Sequence, residues 1–267
     1  MRLLSVIEGD LNRLLVFELE DGSRVESVFY RGDTLCVSTQ VGCPVGCVFC
    51  ASGSKGLIRN LSPEEITGQV SLARTLFPIR RVAFAGIGDP LLNWESVKEA
   101  FWRFKEEGLK VSFYTVGKPA GRLRDLLLIP HNGVTVSVHS TDPDVRRRLM
   151  PFAGDLGSLL KVLTDTLPLL SKRKRNRVSL AYMPLKGVND SEEEVVRFGL
   201  LARRLGVGIT LLYYNKVSNY EPVDPDRYEE IFRRLRAMGV RVTLSTRFRR
   251  DKIGGCGTLV INREVRS

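Results

Sequence analysis

Histidine is almost missing from this chain of 267 residues, which has only His131 and His139. That scarcity leaves cysteine as the main source of soft metal ligands. Long apolar runs are absent too, and the opening Met1-Arg2-Leu3-Leu4 soon meets Glu8 and Asp10. Both facts argue against a membrane span or a secretory leader and predict a cytoplasmic protein. Five cysteines in a reducing compartment are ligands or redox groups rather than structural staples. Acidic residues are in deficit, 30 against 41 Lys and Arg, for a formal net charge of +11. Such a balance points to a polyanionic partner, RNA first. There is no low-complexity segment. At this length, with 43% hydrophobic and 27% charged residues, the chain has enough apolar material for one large domain.

Three of the five cysteines fall in Cys43-Pro44-Val45-Gly46-Cys47-Val48-Phe49-Cys50. Three thiolates ligate three irons of a cubane 4Fe–4S cluster and leave the fourth iron open to a small molecule. Gly42 and Gly46 let the loop bend; Val45, Val48 and Phe49 are apolar enough to shield a cluster. A zinc knuckle is the competing reading, but it lacks its fourth ligand. CxxxCxxC after a first strand is the signature of radical S-adenosylmethionine (SAM) enzymes.

Residues 1–33 read as a short β-rich extension, with strands over Leu14–Glu18 and Val25–Phe29 around an Asp21-Gly22 turn. Alternation puts Glu26 on the face opposite Val25 and Ser27. Taken alone, it is a solvated strand carboxylate. From residue 34 to 267 strands and helices alternate, which predicts a parallel sheet. Strands are expected over 34–39, 81–86, 110–115, 134–139, 177–183 and 208–213. Ser62-Pro63 starts one helix and Asn93 caps another; the rest fall near 119–128, 142–149, 156–170, 191–205 and 224–238. Six units suit an α/β fold of partial (β/α)6 TIM-like barrel type, with active residues after the strands.

The loops after those strands carry the candidates. Gly86-Ile87-Gly88-Asp89-Pro90 ends the second, with Asp89 an acceptor for a ligand ammonium group. Ser137-Val138-His139 ends the fourth, and Asn215 follows the sixth as a ribose or carboxylate contact. Cys256 stands among glycines in Gly254-Gly255-Cys256-Gly257, with Arg247, Arg249, Arg250 and Lys252 near enough to lower its pKa or contact phosphate. Lys172-Arg173-Lys174-Arg175 is a solvated helix–strand connection or an RNA contact.

Together these motifs resemble the radical-SAM RNA adenine C2-methyltransferases, the RlmN/Cfr family. The resemblance runs from about Val25 to Leu259 through Thr34–Cys43, the CxxxCxxC, Gly86–Asn93, Val188-Asn189-Asp190 and Arg250–Leu259. It implies that Cys43, Cys47 and Cys50 hold the 4Fe–4S cluster. Gly88, Asp89, Pro90, Ser137, Val138, His139 and Asn215 would contact SAM, with two SAM used per turnover. One SAM methylates Cys256; the second yields a 5′-deoxyadenosyl radical that takes hydrogen from the S-methyl group. The methylene radical then adds to an adenine ring carbon, C2 first, with C8 a variant within the family. Glu26 removes the ring proton, and Cys36 attacks Cys256 to release the RNA and leave a disulfide. The implied partners are 23S ribosomal RNA or transfer RNA and an electron donor such as flavodoxin or ferredoxin, acting on a monomer with no membrane.

Three departures stand out. The resemblance makes this a short member without the N-terminal accessory domain. The family's Ser-Thr-x-Gly reads Tyr114-Thr115-Val116-Gly117 here, and its Trp-Asn-Pro reads Tyr214-Asn215-Lys216. A radical-SAM activase or small-molecule enzyme, needing neither Glu26 nor Cys256, is the alternative enzyme class. A non-catalytic Fe–S RNA-binding protein is the alternative outside enzymes.

Overall fold

A computed structural model describes residues 1–263. The chain opens with an antiparallel meander, β1 (Arg2–Glu8), β2 (Arg13–Glu18) and β3 (Arg24–Tyr30), whose first strand sequence reading did not find. β3 pairs antiparallel with β4 (Thr34–Val37), which begins the parallel sheet. A two-stranded hairpin, β5 (Gln40–Gly42) and β6 (Leu57–Asn60), then encloses the three-cysteine loop.

Regular alternation follows. The elements are α1 (Pro63–Arg74), β7 (Arg81–Phe84), α2 (Trp94–Glu106), β8 (Lys110–Thr115), α3 (Ala120–Leu128) and β9 (Gly133–Ser137). After β9 come α4 (Pro143–Leu149), α5 (Leu156–Thr166), a short α6 (Lys172–Arg175) and β10 (Val178–Tyr182). The last are α7 (Glu192–Leu205), β11 (Gly208–Leu211), α8 (Pro225–Ala237) and β12 (Val242–Leu244). The six expected parallel strands all form, and β12 adds a seventh, parallel to β11. It is three residues long and half exposed, so it offers little apolar alternation to detect.

The main sheet runs β1-β2-β3-β4-β7-β8-β9-β10-β11-β12 and is open, a partial barrel with the meander continuing one edge. Leu14, Phe17 and Val25 of the meander share one core with Leu35, Phe84 and Phe113 of the barrel. Helix α2 shows how that core closes. Val97, Ala100, Phe101 and Phe104 recur at helical spacing and are buried, and Phe101 lies 5.7 Å from Phe113 of β8.

Helix α1 starts with a complete capping box: Ser62 Oγ accepts from Glu65 N at 3.1 Å, and Glu65 Oε2 accepts from Ser62 N at 2.9 Å. Asn93, expected to cap α2, does something else. Its Nδ2 donates to the carbonyls of Thr39 and Leu61, each at 2.8 Å, tying β4's exit to β6. A buried amide that finds two carbonyls between strands satisfies more groups there than at a helix end.

Candidate active site

The loop between β5 and β6 is fixed before any cofactor is considered. Cys43 N–H donates to Gly56 O at 3.0 Å, and Cys50 N–H to Cys47 O at 3.1 Å. Gly42 lies at φ +83°, and a Cβ there would meet Gly56 O at 2.0 Å, so only glycine closes this hairpin. Burial pushes the Cys43 thiol up to about 12, and it pushes Cys47 and Cys50 up as well. Mutual repulsion adds to this: Cys47 feels Cys50 and Cys43, and the Asp89 charge acts on both Cys43 and Cys47. Buried thiols that repel one another as anions suit positive metal centres, whose binding expels their protons.

No group of ligating side chains among the described residues is arranged to hold a single metal ion. Three soft thiolates in one loop can each take one iron of a 4Fe–4S cluster and leave the fourth iron free of protein. Arg146, on the buried side of α4, supplies a positive charge that acts on Cys47; an arginine inside a helix gave no sequence signal for this.

Beside Cys50 opens a cavity of about 180 Å³. Its walls come from distant parts of the chain: Val28 and Tyr30 of β3, Cys36 of β4, Phe49 and Cys50, Tyr114 of β8, Ser137 at the end of β9 and His139 beyond it, and Arg249 and Cys256. Cys36 stands opposite Val28 in the β3–β4 register. Burial pushes its thiol up to about 12, the Cys256 charge adds to this, and Arg249 and a Tyr30 hydrogen bond pull the other way. Cys256 is exposed, and all five cysteines are free thiols, so no disulfide joins Cys36 to Cys256.

Several anchors stitch the Cys256 loop in place. Ala51 N–H donates to Gly257 O at 2.8 Å, and Ser52 Oγ donates to Leu259 O at 2.8 Å. Asp251 Oδ2 accepts from Leu11 N at 2.7 Å and Asn12 N at 2.9 Å, fastening the loop to the β1–β2 turn. Gly257, at φ +81°, passes so close to the cluster loop that a Cβ would meet Phe49 O at 2.8 Å.

The expected site residues divide into those that line the cavity and those that brace it. Ser137 and His139 line it, whereas Val138 is core. His139 has φ +59°, and its ring meets Phe49 edge-on at 4.9 Å. Asn189 of the Val-Asn-Asp motif secures that backbone, its Nδ2 donating to His139 O at 2.6 Å. Gly88, Asp89 and Pro90 do not line the cavity. Gly88 packs on Gln40, whose Oε1 accepts from Asp89 N at 2.9 Å. The Asp89 carboxylate accepts from Thr115 Oγ1, from Val116 N at 2.7 Å and from Leu91 N at 2.9 Å. Burial raises it to about 6 against those bonds. Asn215 also braces: its Nδ2 donates to Arg249 O at 2.7 Å and Cys256 O at 2.8 Å.

Glu26 is not a solvated strand carboxylate. It is buried because the C-terminal strap covers that face, with Val260 N–H donating to Oε2 at 2.9 Å and Arg263 paired to Oε1. Glu26 shares the cavity-facing side of β3 with Val28 and Tyr30 but does not line the cavity. The Lys172–Arg175 run forms α6 before β10, at the end of the strands away from the cavity, where a solvated connection is expected. Arg250 is occupied too, its guanidinium 4.2 Å from the Tyr213 ring centre.

An open α/β barrel with a three-cysteine loop at the carboxyl end of its first parallel strand defines a radical-forming Fe–S class of enzyme. Residues 37–199 match the family model described as the radical SAM superfamily, and the chain belongs to that superfamily. It is 36% identical over 255 residues to a probable RNA methyltransferase of Ectopseudomonas mendocina, spanning 92% of this chain and 72% of that one. A probable RNA methyltransferase of Thiobacillus denitrificans is 38% identical over 92% of this chain and 69% of its own length. Among solved structures, a radical SAM methyltransferase from Sphaerobacter thermophilus superposes with a TM-score of 0.85 at 27% identity, covering 97% of this chain and 80% of that one. The family implies SAM and a 4Fe–4S cluster as cofactors. No helix among the described residues is long and apolar enough to cross a membrane.

The two histidines predict a pH dependence. Burial lowers His131 to about 4, and burial with Arg146 lowers His139 to about 3. Each folded pKa lies below its unfolded value, so each contributes stability above about pH 6.5 that is lost as pH falls. Asp89 works oppositely: its raised pKa costs stability above about 4, and protonation from about pH 6 downward relieves this. Between pH 7 and 5 each histidine costs about 2 kcal/mol and Asp89 returns about 1. Urea unfolding of the metal-free protein should therefore show a net loss on acidification. An unchanged midpoint would refute the assignment.

Proposed function

We propose that this protein methylates an adenine ring carbon of RNA, C2 first, with Cys256 carrying the methyl group and Cys36 releasing the product. One observation carries the reading: Cys36 and Cys256, 220 positions apart in sequence, line one cavity with Cys50 of the cluster loop. The names of the relatives and the basic charge support RNA as the substrate. A radical SAM activase or small-molecule enzyme would require neither Glu26 nor Cys256.

Cys43, Cys47 and Cys50 would hold the cluster, and Ser137 and His139, which line the cavity with Cys50, would contact SAM. Bound there, cluster and SAM supply a hydrogen-abstracting radical. Cys256, exposed and reachable, displaces a methyl group from one SAM as a thiolate. After hydrogen is taken from that methyl group, the sulfur-bound carbon adds to the ring. The adduct gives up the ring proton to Glu26 and one electron, for which the oxidised cluster would be the acceptor. Cys36 then attacks the Cys256 sulfur: the S–S bond forms, the S–CH₂ bond breaks, and the freed carbon takes a proton. Burial keeps Cys36 a neutral thiol until then, which protects it from competing for the first methyl group. Glu26 is the ring-proton acceptor in this scheme, and it reaches the cavity only when the Val260–Arg263 strap lets it go. All these residues lie on one chain, so a monomer suffices, served by flavodoxin or ferredoxin as reductant.

Cys36→Ala tests the scheme directly. Purified with its cluster from a bacterial host, the variant is expected to carry RNA covalently attached at Cys256. Nuclease digestion and mass spectrometry would identify the modified base, and sequencing the RNA. If active SAM cleavage leaves no adduct with host or native RNA, the S-methylcysteine route is wrong.

A further inference from the structure

Among the described residues, Arg249 is the one cation lining the cavity, and the scheme leaves its role open. Its Nη2 donates to Tyr114 Oη, and its guanidinium lies 4.9 Å from the centre of the Tyr114 ring. Its Nη1 is buried and has no hydrogen-bond partner, and no carboxylate lies within ion-pair distance among the described residues. A buried guanidinium hydrogen left unpaired costs free energy that a ligand's acceptor would recover.

The position of that hydrogen is tied to the reacting sulfur. Arg249 O accepts from Cys256 N at 3.1 Å and from Asn215 Nδ2 at 2.7 Å, while Cys256 O accepts from the same Nδ2 at 2.8 Å. Arg249 and Cys256 thus sit on one locked turn, and both side chains reach the same cavity. A group that takes the Nη1 hydrogen within this cavity shares the cavity with the Cys256 sulfur. Apart from Arg249 the lining is neutral and largely apolar, with Val28, Phe49, Met183, Leu212 and Phe248 in it, which suits a flat base better than a phosphate.

We propose that Arg249 Nη1 donates a hydrogen bond to a purine ring nitrogen next to the carbon being methylated. The inference rests on the adenine-methylation reading above. C2 of adenine lies between N1 and N3, both lone-pair acceptors, so a donor aimed at either one fixes C2 before the sulfur-bound carbon. The contact also withdraws electron density from the adjacent carbon, which favours addition of an electron-rich carbon radical. It stabilises the partial negative charge that addition of such a radical places on that nitrogen in the transition state. A neutral side chain could position the base but would not provide this stabilisation.

Arg249→Gln and Arg249→Lys, each in the full chain with its cluster, test the assignment against the RNA captured by Cys36→Ala. Arg249→Gln should retain the cluster absorbance and still acquire the Cys256 methyl group, seen as a mass shift. Its single-turnover methylation of RNA should fall about 100-fold, the loss expected for one donor to a developing charge. Arg249→Lys, which keeps the charge but not the fork, should fall less. The decisive comparison uses the same RNA with 1-deaza- or 3-deazaadenosine at the target. If the contact is to a ring nitrogen, removing that nitrogen should shrink the gap between wild type and Arg249→Gln to about threefold or less, leaving the other analogue's gap intact. An equal gap on adenosine and both analogues would assign the guanidinium to a phosphate or to Cys36 and overturn the proposal. So would Arg249→Gln at the wild-type rate. A wild type that methylates no RNA overturns the functional reading as well, which separates the two failures. Should Arg249→Gln lose its cluster, Arg249→Lys is judged on the same analogues.

Discussion

Alanine at Cys43, Cys47 or Cys50 is expected to give a folded but colourless protein that binds little iron or sulfide and cleaves no SAM. Each of these cysteines is half-buried, and as anions Cys43 and Cys50 would both repel Cys47. Losing one leaves an iron without a protein ligand in a loop that offers no histidine to replace it, since His131 and His139 lie on other segments. SAM cleavage should drop by more than about 10³-fold, because it removes the radical source rather than a single stabilising contact, which is worth about 10²–10³. Folding should survive, as Gln40–Gly42 and Leu57–Asn60 close the loop independently of the thiols. The measurements are iron and sulfide content, visible absorbance, and 5′-deoxyadenosine under dithionite. One zinc per chain in the wild type, with no sulfide, would end the cluster assignment.

Cys256→Ala has the second large effect and separates radical generation from methyl transfer. The cluster and dithionite-driven SAM cleavage should persist, because Cys43, Cys47 and Cys50 are untouched. RNA methylation should fall below detection, a loss of at least about 10³-fold, because a missing nucleophile has no neighbouring substitute. Cys36 is the only other thiol outside the cluster set, and burial holds it protonated. Liquid chromatography–mass spectrometry of digested RNA gives the answer. Full methylation by Cys256→Ala would exclude the S-methylcysteine route, whereas lost SAM cleavage would mean that Cys256 also supports the cluster loop through Gly257 and Ala51.

The sequence marked the alternation of strands and helices from Thr34 onward because parallel strands and their covering helices impose short, local apolar periods. It marked the three-cysteine loop because ligand spacing within eight residues is local as well. Cys36, Glu26 and Cys256 were not legible that way. Each was an ordinary strand or loop residue, and only resemblance to a family gave it a role. β12 escaped because its three half-exposed residues carry almost no pattern. Asn215 and Asp89 were marked as ligand contacts, and within the protein they also hold main-chain groups and Thr115. A polar side chain after a strand has the same sequence signature whether it meets a ligand or a carbonyl.

By itself, then, the sequence determined the α/β architecture, the soft-ligand loop and the positive charge that points to a polyanion. The tertiary structure alone decided that β3, β4, β8 and the Cys256 turn meet around one cavity. It also decided that Asp251 and Asn12 dock this turn on the N-terminal meander, that Glu26 lies under the C-terminal strap, and that Arg249 keeps an unpaired hydrogen beside Tyr114. The physical reason is range. Periodicity and ligand spacing act over a few residues, whereas burial, charge and hydrogen-bond partnership depend on segments more than 200 positions apart, such as Asn12 and Phe248.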